Sequence, residues 1–143
     1  MNDLEIAKEH LHRAQAAIAI VKNGEIVFET RSHRISGFLE AIDRLGSRLE
    51  YSSIADRVAG KAVALLCVYI GAKAVYADVL SKKAKTVFDD NRITYESKEL
   101  VENILDASKS KLCPFEERAK DILDPNEAYQ AFRKLQKTLN NQA

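Results

Sequence analysis

The chain has no tryptophan, two cysteines, two prolines and one methionine among its 143 residues. Two cysteines, Cys67 and Cys113, in a chain with enough length for its own core do not make a disulfide framework, and they fit a reducing cytoplasm. A dominant charge is also missing: 22 basic and 21 acidic residues leave a net charge of +1. Without an overall field, neither nucleic acid nor a membrane surface is an expected partner. The longest apolar run, "AVALLCVYI" from Ala62 to Ile70, falls far short of the roughly 18 residues that span a bilayer. The opening "MNDLEIAKEH" is acidic and amphipathic, unlike a secretory signal. There is no internal repeat, low-complexity segment or interdomain linker. What is present is ordinary for a globular protein: 46% apolar and 30% charged residues. The length predicts one domain over residues 1–143, burying roughly 68–70% of the surface its unfolded chain exposes.

Asn2 to Glu5 has the form of a capping box, and Leu4, Ala7, Leu11 and Ala14 then recur at helical spacing, which predicts a first amphipathic helix. His10 and His12 lie on it two residues apart, too divergent to share a metal, and read as solvated surface histidines. Asn23-Gly24 between two β-rich runs predicts a hairpin of Ala17–Lys22 with Glu25–Thr30, with Lys22 and Glu25 paired across the turn. Arg31 to Arg34 reads as a basic loop. Ser36 to Gly46 reads as a short helix, and Ser53 with Asp56 as the cap of a central helix running to about Ile70, closed by Gly71. Ala74 to Leu80 has the pattern of an interior strand. Ser81 caps a further helix through Asp89, and Ile93–Glu96 forms a second strand parallel to the first. Helices are expected around Lys98–Ala107, from Cys113-Pro114, and from Asp124-Pro125 with an apolar face of Ala128, Phe132, Leu135 and Leu139. The order α-β-β-α-α-β-α-β-α-α-α predicts a three-layer α-β-α sandwich around a mixed sheet that begins with a hairpin.

The segments "ADRVAGKAVALL", "IVKNGEIVF", "LCPFE" and "DPNEAY" resemble one small, functionally uncharacterised prokaryotic family of the cytidine deaminase-like superfamily, over nearly the whole chain. The resemblance implies the cytidine deaminase-like fold. Members with deaminase activity carry His-Ala-Glu at the start of the central helix and Pro-Cys-x-x-Cys after the next strand, which hold zinc and shuttle protons. Gly60-Lys61-Ala62-Val63 and Ser81-Lys82-Lys83-Ala84 stand at those places. They supply neither ligand nor proton shuttle, so zinc-dependent deamination is excluded and no metal or cofactor is expected.

Three places can still carry function. Arg57 and Lys61, four apart on the predicted helix, put two cations near its positive end, which either Asp56 or a bound anion compensates. Gly60 costs about 1 kcal/mol against alanine inside a helix, a cost explained by close approach of a strand or a ligand. Ser81, Lys82 and Lys83 open the next helix beside it, with Asp78 at the strand end, and helix starts bind anions. Cys113 precedes a helix near Lys109 and Lys111, which makes it either a reactive thiol and catalytic candidate or a packing residue. The leading reading is a zinc-free deaminase-fold domain that binds a small anionic or nucleotide-like metabolite through Asp56, Arg57, Gly60, Lys61, Asp78, Ser81, Lys82 and Lys83. One alternative is an enzyme that uses Cys113 or Asp56. Another is an oligomeric interaction module without a ligand. A homodimer is expected on general grounds.

Overall fold

The computed structural model describes residues 1–32, 35–106 and 108–141. Helix α1 (Asp3–Arg13) starts at the Asn2 cap, whose Oδ1 accepts the Glu5 N–H at 2.8 Å. Asn2→Ala should therefore cost about 1 kcal/mol in chemical denaturation. Strands β1 (Ile18–Lys22) and β2 (Glu25–Thr30) form the expected hairpin, with Lys22 opposite Glu25. Asn23 and Gly24 both take positive φ, as a type I′ turn requires. Their N–H groups donate to the two carboxylate oxygens of Asp3, which ties the hairpin tip to the start of α1. Helix α2 (Ile35–Leu45) and a single 3-10 turn (Gly46–Leu49) follow. Of the basic loop, His33 and Arg34 lie outside the described residues.

The expected central helix divides. Ser53–Ala59 is strand β3, and helix α3 covers only Lys61–Ile70. Ser53 and Asp56 therefore cap nothing, because Ser53-x-x-Asp56 lies along a strand. β3 pairs antiparallel with β1 on one side and parallel with β4 (Ala74–Ser81) on the other, so its backbone groups are satisfied by the sheet. Gly71 ends α3 in the left-handed conformation, as expected. Ser81 caps α4 (Lys82–Asp90). The helix expected around Lys98–Ala107 is also corrected. β5 (Thr94–Val101), paired parallel to β4 at the sheet edge, runs through its first four residues, and the described residues after it form no helix before α5. Ala107 lies outside the described residues. Helices α5 (Pro114–Ala119) and α6 (Pro125–Asn141) complete the chain.

The sheet order is β2-β1-β3-β4-β5. On one face α1 packs Ala7 and Leu11 against Ala19, Val21, Ala55 and Tyr76. On the other, the larger core gathers α2, α3, α4 and α6 around residues such as Phe38, Leu66, Phe88 and Phe132. This is a three-layer sandwich. Of the two histidines of α1, His12 is exposed as expected and His10 is half-buried, and both have partners on the sheet. His10 reaches Glu29 on β2, and His12 Nε2 lies 2.7 Å from an Asp78 oxygen on β4, so each joins the helix to a different strand. Among the described residues no helix is long and apolar enough to cross a membrane.

Candidate functional site

The strand order turns back between β1 and β3, since β2 lies on one side of β1 and β3 to β5 on the other, and α3 and α4 are the crossovers that keep β3, β4 and β5 parallel. In open α/β sheets, ligands collect in the crevice beyond the carboxyl ends of strands at such a reversal. A cavity of about 280 Å³ lies there, at the end of β3 and the start of α3. Its walls are largely apolar, with Ile35 from α2, Val63 from α3, Ile104 and Leu105 from the segment after β5, and Phe115 from α5. That segment folds back on itself: Cys113 donates its N–H to the Ile104 carbonyl at 3.0 Å, and Asp106 donates to that of Lys111 at 2.7 Å. The fold-back sets α5 against the start of α3 and brings Cys113 and Glu116 to the cavity wall.

Glu116 answers the question raised by the start of α3. Gly60, the residue before the helix, has no side chain to cap it. The Glu116 carboxylate takes that place: Oε1 accepts the Lys61 N–H at 2.9 Å and Oε2 the Ala62 N–H at 2.7 Å. A Cβ on Gly60 would overlap this carboxylate. The close approach that Gly60 permits is thus made by a side chain of the chain itself. Burial pushes the Glu116 carboxyl above its ordinary value, and the two N–H groups and the charges of Lys83 and Lys61 oppose that push.

Asp56 also lines the cavity, and it stands on strand β3 of the sheet. Burial pushes it from 3.8 up to about 7, with a further push from the Asp78 charge and opposition from the N–H groups of Val58 and Arg57. Its Oδ1 accepts the Val58 N–H at 3.3 Å. Asp56 therefore exchanges a proton near neutral pH, the condition that suits a group meant to accept or give one.

The cations predicted here are engaged elsewhere. Arg57, also at the cavity wall, donates from Nε to the Ala16 carbonyl, from Nη2 to that of Leu11, and from Nη1 to Asp78 at 3.2 Å. Lys61 points its ammonium at the Lys120 carbonyl, 3.1 Å away. Lys82 pairs with Glu102, Lys83 is exposed, and Ser81 Oγ accepts the Ala84 N–H as a cap. Asp78 belongs to the α1 network, where one oxygen accepts from Tyr76 at 2.6 Å and faces His12. Burial works against its ionisation, but the hydrogen bonds from Tyr76, His12 and Arg57 outweigh it and hold the carboxyl below the usual range. Of the residues singled out in the sequence, Asp56, Arg57, Gly60 and Cys113 come together around the cavity, whereas Lys61, Asp78, Ser81, Lys82 and Lys83 do not line it. Glu116 and Asp106 were missed. An apolar helix preceded by glycine, with no capping side chain of its own, was the available signal that an acceptor had to arrive from elsewhere.

The starts of α3 and α4 offer no zinc ligand, and the first is closed over by the Glu116 carboxylate. Among the described residues no three His, Cys, Asp or Glu side chains converge in a way that would hold a metal. The residues present do not fit the zinc centre of the active deaminases.

Among solved structures, the chain is similar to a DUF1893 family protein (TM1506) from Thermotoga maritima. The two share 22% identity and a TM-score of 0.85 over 93% of this chain and 89% of that one. A weaker likeness, at 17% identity and a TM-score of 0.46, covers 82% of this chain and 40% of a diaminohydroxyphosphoribosylaminopyrimidine deaminase/5-amino-6-(5-phosphoribosylamino)uracil reductase from the same organism. No curated protein matches the chain. The profile of TM1506, a domain of unknown function (DUF1893), matches residues 6–135, and the chain belongs to that family.

Proposed function

We propose that this chain is a zinc-free, deaminase-like domain that binds a small molecule in the cavity at the end of β3, with Asp56 as the polar group that meets it. The observation that carries the reading is a carboxyl poised near neutrality in the wall of a mostly apolar cavity. The volume of about 280 Å³ lies at or below the lower end of the roughly 300–1,000 Å³ usual for ligand sites, which suits one ring or a short chain better than a nucleotide. The anionic ligand expected from the sequence finds less support, since the start of α3 already holds a carboxylate and the lining cation is engaged.

A fragment screen by thermal shift tests the reading. Val63 lines the cavity and is 6% exposed, so Val63→Phe fills part of the space. Fragments should raise the Tm of the unmodified protein by linkage and leave the Val63→Phe variant unmoved. Equal shifts in both would place binding elsewhere. A second reading, an enzyme that pairs Asp56 as proton acceptor with Cys113 as nucleophile, draws on the presence of both groups around one cavity.

A further inference from the structure

Hydrogen-bond acceptors outnumber free donors around this cavity. Among its described lining residues the carboxylates are Asp56, Asp106 and Glu116, and the one cation is Arg57. Each of the three guanidinium nitrogens of Arg57 already donates to a protein acceptor. Both oxygens of Glu116 accept N–H groups of α3, and Asp106 Oδ1 accepts the N–H and hydroxyl of Ser108. Asp56 is different. Among the described residues only the backbone N–H groups of Val58, at the long distance of 3.3 Å, and Arg57 act on it, whereas a carboxylate offers about four acceptor positions. A phosphate or carboxylate entering here would meet three carboxyl groups, and the one lining guanidinium is already bonded to Asp78 and two backbone carbonyls. A positively charged N–H donor would meet the complement it needs, against apolar walls that suit a short hydrocarbon body.

We propose that the cavity takes a small organic cation, an amine, amidine or guanidine on a short apolar body, with its N–H donors on the Asp56 carboxylate. The proposal rests on the cavity being a ligand site, and it adds the charge and donor pattern of the ligand. It also carries a proton linkage. The titratable groups around Asp56 are Arg57 on its own strand, Asp78 on β4, Cys67 on α3, Asp106 after β5, and Cys113 and Glu116 at the start of α5. A cation beside Asp56 favours its ionised form. With the carboxyl balanced at about 7, binding at that pH expels up to about half a proton per site. Protonated Asp56 loses its attraction for the cation, so affinity falls as the pH falls.

The test uses the full chain with four probes of similar size or smaller: benzamidine, its neutral counterpart benzamide, benzoate and inorganic phosphate. Calorimetry at pH 6 and pH 8 should show benzamidine binding about tenfold more tightly at pH 8, following the ionised fraction of Asp56. Benzoate and phosphate should not bind. Asp56→Asn should remove the pH dependence, and Val63→Phe should remove binding altogether. If benzamide binds as well as benzamidine and Val63→Phe blocks both, the ligand site stands and the cation proposal is overturned. If benzoate or phosphate binds in the cavity more tightly than benzamidine, the proposal is likewise overturned. If none of the four binds the unmodified protein, the cation proposal is overturned, and the fragment screen decides separately whether the cavity is a ligand site.

Discussion

Gly60→Ala is expected to lower folding stability by about 2–4 kcal/mol, the largest loss anticipated for so small a change in this chain. The added methyl overlaps the Glu116 carboxylate, which then gives up the N–H groups of Lys61 and Ala62. Charge-assisted hydrogen bonds of this kind contribute roughly 1.5–3 kcal/mol each, and the cost of keeping a carboxylate from water offsets part of that. The backbone at Gly60 is extended and open to any residue, so the loss arises from the contact and not from the glycine's own conformation. A double-mutant cycle separates the two. Glu116→Ala should cost a similar amount, and adding Gly60→Ala to it should cost under about 0.5 kcal/mol, because the group the methyl displaces is already gone. Additive losses in denaturant titrations would show that Gly60 is needed for a reason other than Glu116.

Asp56→Asn is expected to stabilise the protein at pH 8 and to have little effect at pH 4. The folded carboxyl, at about 7, lies above its ordinary 3.8. The folded state therefore holds the proton more tightly than the unfolded chain, and stability falls as the pH rises from about 4 through about 7. The whole displacement corresponds to roughly 4 kcal/mol. Water in the open cavity screens part of it, which leaves a gain of about 1–3 kcal/mol for the asparagine variant at pH 8. Stability measured across pH 4 to 8 checks this. Parallel curves for the variant and the unmodified protein would mean that Asp56 has no abnormal affinity for a proton. A stabilising substitution at a polar wall residue is also the usual mark of a group kept for function at some cost in stability.

The parts of this fold that local sequence chemistry specifies were legible. Asn23-Gly24 identifies its hairpin because few other dipeptides take two positive φ values, and Asn2 marks the start of α1 because its side chain satisfies a free N–H. β3 was misread because Ser53 and Asp56 have the spacing of a helix cap, while Asp56 and Arg57 are too polar for an interior strand. Both are polar for reasons that lie far away in the sequence: Arg57 holds the end of α1, and Asp56 borders the cavity. β5 is legible as a strand in its first half, but from Lys98 onward it reads as a helix because Glu96, Lys98 and Glu99 make it strongly charged, which is how an edge strand avoids pairing with another chain. The site was half legible. Asp56, Gly60 and Cys113 stood out by residue type and position, but the partner of Gly60 lies 56 residues along the chain, beyond the reach of spacing arguments.

Asp56 is proposed as a proton-exchanging group in the wall of a ligand cavity. Carbon-detected NMR of the aspartate carboxyls, with the Asp56 signal assigned by its loss in Asp56→Asn, tests it directly. The Asp56 signal should titrate at about 7, with the benzamidine complex shifting that midpoint downward. A midpoint near the ordinary 3.8, unmoved by benzamidine, would contradict the account.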